Sequence, residues 1–140
     1  MGEIVLEKAR TLEEWADIYE KKTGEKLDRN CKPTFYFPDK GFGVFSVSGD
    51  MIIIHHVCGD GVFWRQIGEV LALERGLHKL GAICIRKNIK AYLRCFEMKI
   101  TDEEILSDGK IRYFFKHKYT KKQGRATPTD DESYLITWEV

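Results

Sequence analysis

Two adjoining stretches carry the residue types most suited to chemistry. His55-His56-Val57-Cys58 ends an apolar run, and Gly59-Asp60-Gly61-Val62-Phe63-Trp64-Arg65-Gln66-Ile67-Gly68 follows at once. Histidine changes charge near neutral pH and can take a proton from an attacking amine. Neighbouring residues of a strand point to opposite faces, so one of His55 and His56 can face a cleft, although both also read as structural histidines finishing a strand. The glycine-flanked stretch opens a helical pattern. A helix N-terminus offers unpaired N–H groups and a positive dipole end, which suits a phosphate. Gly59 and Gly61 would let the chain leave the strand sharply, Gly68 would admit a ligand close to the backbone, and Arg65 would add charge. A plain turn before a helix uses the same residues, so spacing alone leaves both readings open.

These residues need a scaffold, and the pattern of the chain supplies one. Glu3–Glu7 reads as a short strand. Thr11-Leu12-Glu13-Glu14 forms a capping box ahead of an apolar stripe at Leu12, Trp15, Ile18 and Tyr19, and Gly24 suits the helix end. Strand signals follow at Thr34–Phe37, Gly43–Val47 and Met51–Val57, separated by Pro-Asp-Lys-Gly and Ser-Gly-Asp turns, which predicts an antiparallel meander. The last of these is apolar almost throughout and belongs at the sheet centre. Ile67, Val70, Leu71, Leu73, Leu77 and Leu80 predict a helix over 62–80, with Gly81 as its stop. Ala82–Ile85 is then a buried strand, parallel to Met51–Val57 through a right-handed crossover. Ile89, Tyr92, Leu93 and Phe96 outline a second, shorter helix. Lys110–Tyr119 and Ser133–Val140 predict a terminal hairpin around a polar loop. The fold class is α/β, a mixed sheet with helices on both faces, in one domain over 1–140.

Composition narrows the function. The chain has 140 residues, 43% hydrophobic and 32% charged, with a formal net charge of +1. That length builds one core, and that charge gives no general attraction to nucleic acid or an anionic membrane. No segment approaches the ~20 apolar residues of a membrane span. Cys31, Cys58, Cys84 and Cys95 are irregularly spaced, without a CxxC pair, and read as reduced, mostly buried thiols in a cytoplasmic protein.

The order of elements, the length and the placement of Trp64-Arg65-Gln66-Ile67-Gly68-Glu69-Val70-Leu71 after a central strand resemble the GNAT superfamily of acyl-CoA N-acetyltransferases. The resemblance implies a coenzyme A pyrophosphate on the loop over Phe63–Gly68, held by Arg65, Gln66, Ile67 and Gly68. Gly68 matches the last motif position, whereas Phe63 and Gln66 stand where the family has Gln/Arg and glycine. Asn88 and Ala91 match a second family landmark, and Asn88 joins the expected cofactor contacts. Cys95 occupies the usual position of the tyrosine that protonates the departing thiolate, with Tyr92 one turn earlier. The resemblance further implies that backbone groups of Val57 and Cys58 bind the pantetheine arm, that His56 or His55 is the base, and that Tyr92 or Cys95 is the acid. Acetyl coenzyme A would be the donor and a small-molecule or protein amine the acceptor. The replaced motif positions also fit a second reading, a domain of this fold that has lost catalysis and serves as a binding or assembly module.

Other constellations were weighed by spacing. His55, His56, Cys58 and Asp60 do not make a zinc set, since only His56 and Cys58 share a strand face. Cys95 as a nucleophile would need a base such as His55, His56 or His117. The basic run Lys116–Arg125 is followed by Asp130-Asp131-Glu132 and reads as a solvated loop, which the resemblance places at the acceptor side of the cleft.

Overall fold

A computed structural model describes residues 9–140, so the strand expected at Glu3–Glu7 lies outside the described residues. Helix α1 spans Leu12–Thr23 and carries the expected capping box: the Thr11 hydroxyl accepts from the Glu14 N–H at 3.1 Å and the Glu14 carboxylate accepts from the Thr11 N–H at 2.9 Å. Gly24 ends it in the left-handed conformation, φ 78°. The helix lays Tyr19 against Phe42 and Cys58, with Leu12, Trp15 and Ile18 around them.

Strands β1 (Phe35–Phe37), β2 (Gly41–Ser48) and β3 (Met51–Gly59) form the expected antiparallel meander. At its closed end Gly41 pairs with Gly59, both at φ 98°, and a Cβ on either would strike the other strand's backbone. The ladder pairs Val44 with His56 but Phe45 with Ile54, so His55 is an extra residue on β3, a β-bulge. The bulge resets the alternation of side chains. Ile52 and Ile54 join the main core beside Ala72 and Leu80, whereas His56 and Cys58 turn toward α1.

Helix α2 (Gly61–Glu74) carries the chain across to β4 (Lys79–Ile85), and β3 and β4 run parallel. The helix is shorter than the predicted 62–80. Gly76 takes φ 68° and the Leu77 N–H returns to the Ala72 carbonyl at 2.8 Å, which closes the helix. Leu80 and Gly81 belong to β4 instead. Leu80 is fully buried there, and an apolar residue at that spacing satisfies a helix face and a core strand equally. Gly68 lies where α2 crosses the sheet: a Cβ would come within 2.9 Å of Leu80 Cδ2.

A 3-10 turn at Arg86–Asn88 leads into α3 (Ile89–Cys95), which buries Ile89 and Leu93, with Phe96 just beyond its end. The last part of the chain departs most from expectation. Strand β5 (Met98–Ile105) carries no strand signal because its second half is acidic and exposed; it is an edge strand paired only with β6 (Ile111–His117). The supposed polar loop contains β7 (Gln123–Pro128), which lies between β6 and β8 (Ser133–Glu139), so those two strands do not form the predicted hairpin. Small residues make that insertion possible. Ala126 is fully buried, and a Cβ on Gly124 would meet both the Phe115 ring and the Thr137 carbonyl. The result is one eight-stranded mixed sheet, β1-β2-β3-β4-β8-β7-β6-β5.

Candidate functional site

The parallel strands β3 and β4 pair from Met51/Lys79 to Ile54/Ala82 and then separate. Each keeps its outer neighbour, β2 on one side and β8 on the other. Their inner edges, His55–Gly59 and Ile83–Ile85, therefore face each other across a gap without ladder partners. The bulge at His55 marks where the pairing stops. The gap is a cavity of about 150 Å³, walled by Val57, Cys58, Ile83, Cys84, Tyr92 and Cys95. Burial pushes the Cys58 thiol up to about 11 and the Cys84 thiol to about 12, so both stay protonated and the lining is largely apolar.

One wall carries a hydrogen-bonded chain. Tyr19 donates its hydroxyl proton to the Glu25 carboxylate, and the same oxygen lies 2.6 Å from His56 Nδ1. With the tyrosine proton committed to Glu25, Nδ1–H of His56 donates to Tyr19 and Nε2 keeps its lone pair. Glu25 Oε2 also stands 3.8 Å from His56 Nδ1, close enough to stabilise an imidazolium. The nearby His56 imidazole is the largest influence holding the Glu25 carboxyl below its ordinary range, while burial, followed by Glu25, raises the Tyr19 hydroxyl. Tyr19 and Glu25 border the gap between the strands. His56 borders a second cavity, about 310 Å³, between α1, the Leu27–Pro33 segment and the bulge. His55, the bulge residue, bonds Ser46 Oγ through Nε2 at 2.7 Å and borders the same cavity. Burial, then the neighbouring His56, lowers its pKa.

On the opposite wall, the Tyr92 hydroxyl is buried and has no hydrogen-bond partner. Burial holds it far above its usual value, so it remains a proton-bearing donor. Cys95, one turn on, sits against Gly61 at the start of α2, and burial raises its thiol too. Asn88 binds the Thr23 carbonyl at 3.1 Å, fastening the end of α1 to the turn before α3.

The stretch from Arg65 to Gly68 is placed differently from expectation. β3 ends at Gly59 and α2 begins at Gly61, so no open loop separates them. The amides of Arg65, Gln66, Ile67 and Gly68 lie inside the helix and are spent on its hydrogen bonds. Arg65 is 5% exposed and turns to the Phe96 carbonyl (2.8 Å), the Glu97 carboxylate (3.1 Å) and His117. Gln66 is exposed on the outer side, and Gly68 serves packing on Leu80. Trp64 neither covers nor blocks a ligand. It is fully buried and ties the closed end of the meander, its indole N–H donating to the Lys40 and Cys58 carbonyls at 2.9 and 3.0 Å. His117 is committed to the Arg65 cluster and accepts amide N–H groups of Tyr119 and Thr120, which removes it as a base for Cys95.

Reading the sequence missed Tyr19 and Glu25. Tyr19 presents itself as one more member of an apolar helix stripe, and Glu25 as a polar residue after a helix stop. Nothing local ties either to His56, which is 37 positions from Tyr19. The thiols are also more evenly divided than expected: Cys58 and Cys84 are buried, Cys31 is exposed, and Cys95 is exposed as a residue while its sulfur packs against Gly61. Among the described residues, no cluster of His, Cys, Asp and Glu could hold a metal ion, and no helix is long and apolar enough to cross a membrane. No family model matches the chain, and neither a curated protein nor a solved structure matches it.

Proposed function

We propose that the protein transfers an acyl group from a thioester to an amine, in the manner of a GNAT-type N-acetyltransferase. The observation that carries this reading is the buried, unpartnered Tyr92 hydroxyl on the wall of the gap between two parting parallel strands. A buried hydroxyl without a partner costs about 1–3 kcal/mol, and a ligand atom that accepts its proton would recover that cost. The bare edges around Val57 and Cys58 suit an extended amide-bearing arm, which adds to them as a strand does.

In this reading the arm of acetyl coenzyme A lies in the gap and the amine arrives through the second cavity. His56 Nε2 takes the amine proton, with Tyr19 and Glu25 holding the ring and its developing charge. The amine nitrogen attacks the thioester carbonyl, the C–N bond forms and the C–S bond breaks. Tyr92 gives its proton to the departing thiolate. Cys95 lies beside Tyr92 as the alternative donor.

Acyl transfer from acetyl coenzyme A to a panel of amines is the test. Tyr92→Phe should lower the rate about 10²–10⁴-fold, as expected for loss of a general acid, while the fold, which makes no bond to that hydroxyl, stays intact. Full activity in Tyr92→Phe with loss in Cys95→Ala moves the role to Cys95. Inactivity of the parent toward every amine favours the second reading, a binding module. That reading draws its support from the start of α2, where the loop expected to hold a pyrophosphate is replaced by a one-residue joint.

A further inference from the structure

The first turn of α2 is the place beside the gap where the resemblance seats an anionic ligand tail, and it is closed on two sides. Asp60 caps the helix with its own carboxylate, Oδ1 accepting from the Phe63 N–H at 3.1 Å and Oδ2 lying 3.3 Å from Lys40 Nζ. From the other side α3 ends directly on it. A Cβ built on Gly61 would stand 2.7 Å from the Cys95 carbonyl oxygen and closer still to its sulfur. The free N–H groups of that turn therefore look out between a carboxylate and a carbonyl, both of which repel phosphate oxygens. Arg65, the cation of the same stretch, is buried on the far side against Phe96, Glu97 and His117. Among the described residues that line the gap, Lys22 is the one cation. The rest of the lining is neutral at neutral pH apart from Glu25, and rich in sulfur and aliphatic carbon, with one orphan hydroxyl at Tyr92.

Resting on the acyl-transfer reading, we infer that the gap recognises the pantetheine arm of its thioester donor and draws no binding energy from a nucleoside diphosphate. Short pantetheine thioesters then serve it as well as acetyl coenzyme A. The arm offers what the lining matches: amide groups for the bare strand edges and a sulfur for Tyr92. A diphosphate would instead meet the Asp60 carboxylate, with no loop to enfold it.

The experiment compares S-acetylpantetheine with acetyl coenzyme A as donors to one amine, measured as kcat/KM, and as ligands by calorimetry. A charge-assisted hydrogen bond is worth on the order of tenfold or more in affinity, so a diphosphate held by one or two should separate the donors by at least that. The expected ratio is below about tenfold in both measurements. A preference for acetyl coenzyme A beyond that ratio overturns the inference and leaves acyl transfer standing. Equal binding without any transfer upholds recognition of the arm alone and overturns its use as a donor, together with the acyl-transfer reading. Binding of neither compound overturns both.

Discussion

Met51–Ile54 and His55–Gly59 are halves of one strand with opposite surroundings. The first half is hydrogen-bonded on both edges, to β2 and to β4, and its isoleucines are almost wholly buried. The second half keeps β2 alone and presents its other edge to a cavity. Ile54 is 0% exposed, whereas His56, two residues on, holds a hydrogen-bonded chain at the wall. Closed ladder and open edge are thus divided along a single strand, and the dividing point is the bulge at His55. A sheet that stayed closed past Ile54 would gain ladder bonds and lose the site.

The sharpest way to break this comparison is to truncate in each half. Ile54→Ala should cost about 2–5 kcal/mol, because the hole lies between α2 and the sheet where neither can collapse. His56→Ala should cost clearly less in chemical denaturation, since its partners Tyr19 and Glu25 both reach a cavity. Equal losses would mean that the second half is as structural as the first. A smaller effect is expected at the joint itself. Asp60→Ala removes the cap of α2 and should lower stability by about 0.5–2 kcal/mol. The Lys40 ion pair adds little to that loss, because both side chains are well exposed. A neutral result there would show that the Cys95 contact alone fixes the helix start.

The smallest effects are those of pH. His55 and His117 both have lowered pKa values in the fold, chiefly through burial. The unfolded chain therefore binds more protons, and stability should fall as pH drops through about 6.5, the ordinary histidine value. The Glu25 carboxyl is lowered too, chiefly by His56, which favours its ionised form. Its contribution is present above about pH 4.3 and is lost as pH falls through its lowered value. Melting temperatures across this range should show an upper step removed by His55→Gln with His117→Gln, and a lower step removed by Glu25→Gln. Persistence of the upper step in the double histidine variant would assign it to another group.

The sequence made the left half of the sheet legible because its signals are local. The capping box at Thr11, the turn residues of the meander and the run Met51–Val57 each depend on neighbours within a few positions. The parallel pairing of β3 and β4 followed from one crossover. β7 was illegible for a physical reason: its stability comes from two flanking strands, which accept Gly124 and Ala126 where propensity reads a loop. The site was half legible. His56 and Tyr92 stand at cavities as residue types suggested, but the fate of Arg65 was decided by Phe96, Glu97 and His117, far along the chain. The glycines of the joint were visible, and their purpose was not. Gly59 and Gly61 make room for Lys40 and Cys95, not for a ligand.

The bulge at His55 places the hydrogen-bonded chain of Tyr19, Glu25 and His56 under the control of strand register. Which face of β3 receives His56 and Cys58 depends on His55 being left out of the ladder, whatever its side chain. Substitution at position 55 changes one hydrogen bond to Ser46. Loss of that single residue would keep Phe45 against Ile54 and Val44 against His56, and so leave the faces of His56 to Gly59 as they are. Drawing His55 into the ladder would exchange them: Tyr19 would then meet a different side chain, and the imidazole would be carried to the side of α2. A residue gained by β2 between Val44 and Phe45 would do this, which makes that insertion a graver event than any exchange of the side chain at position 55.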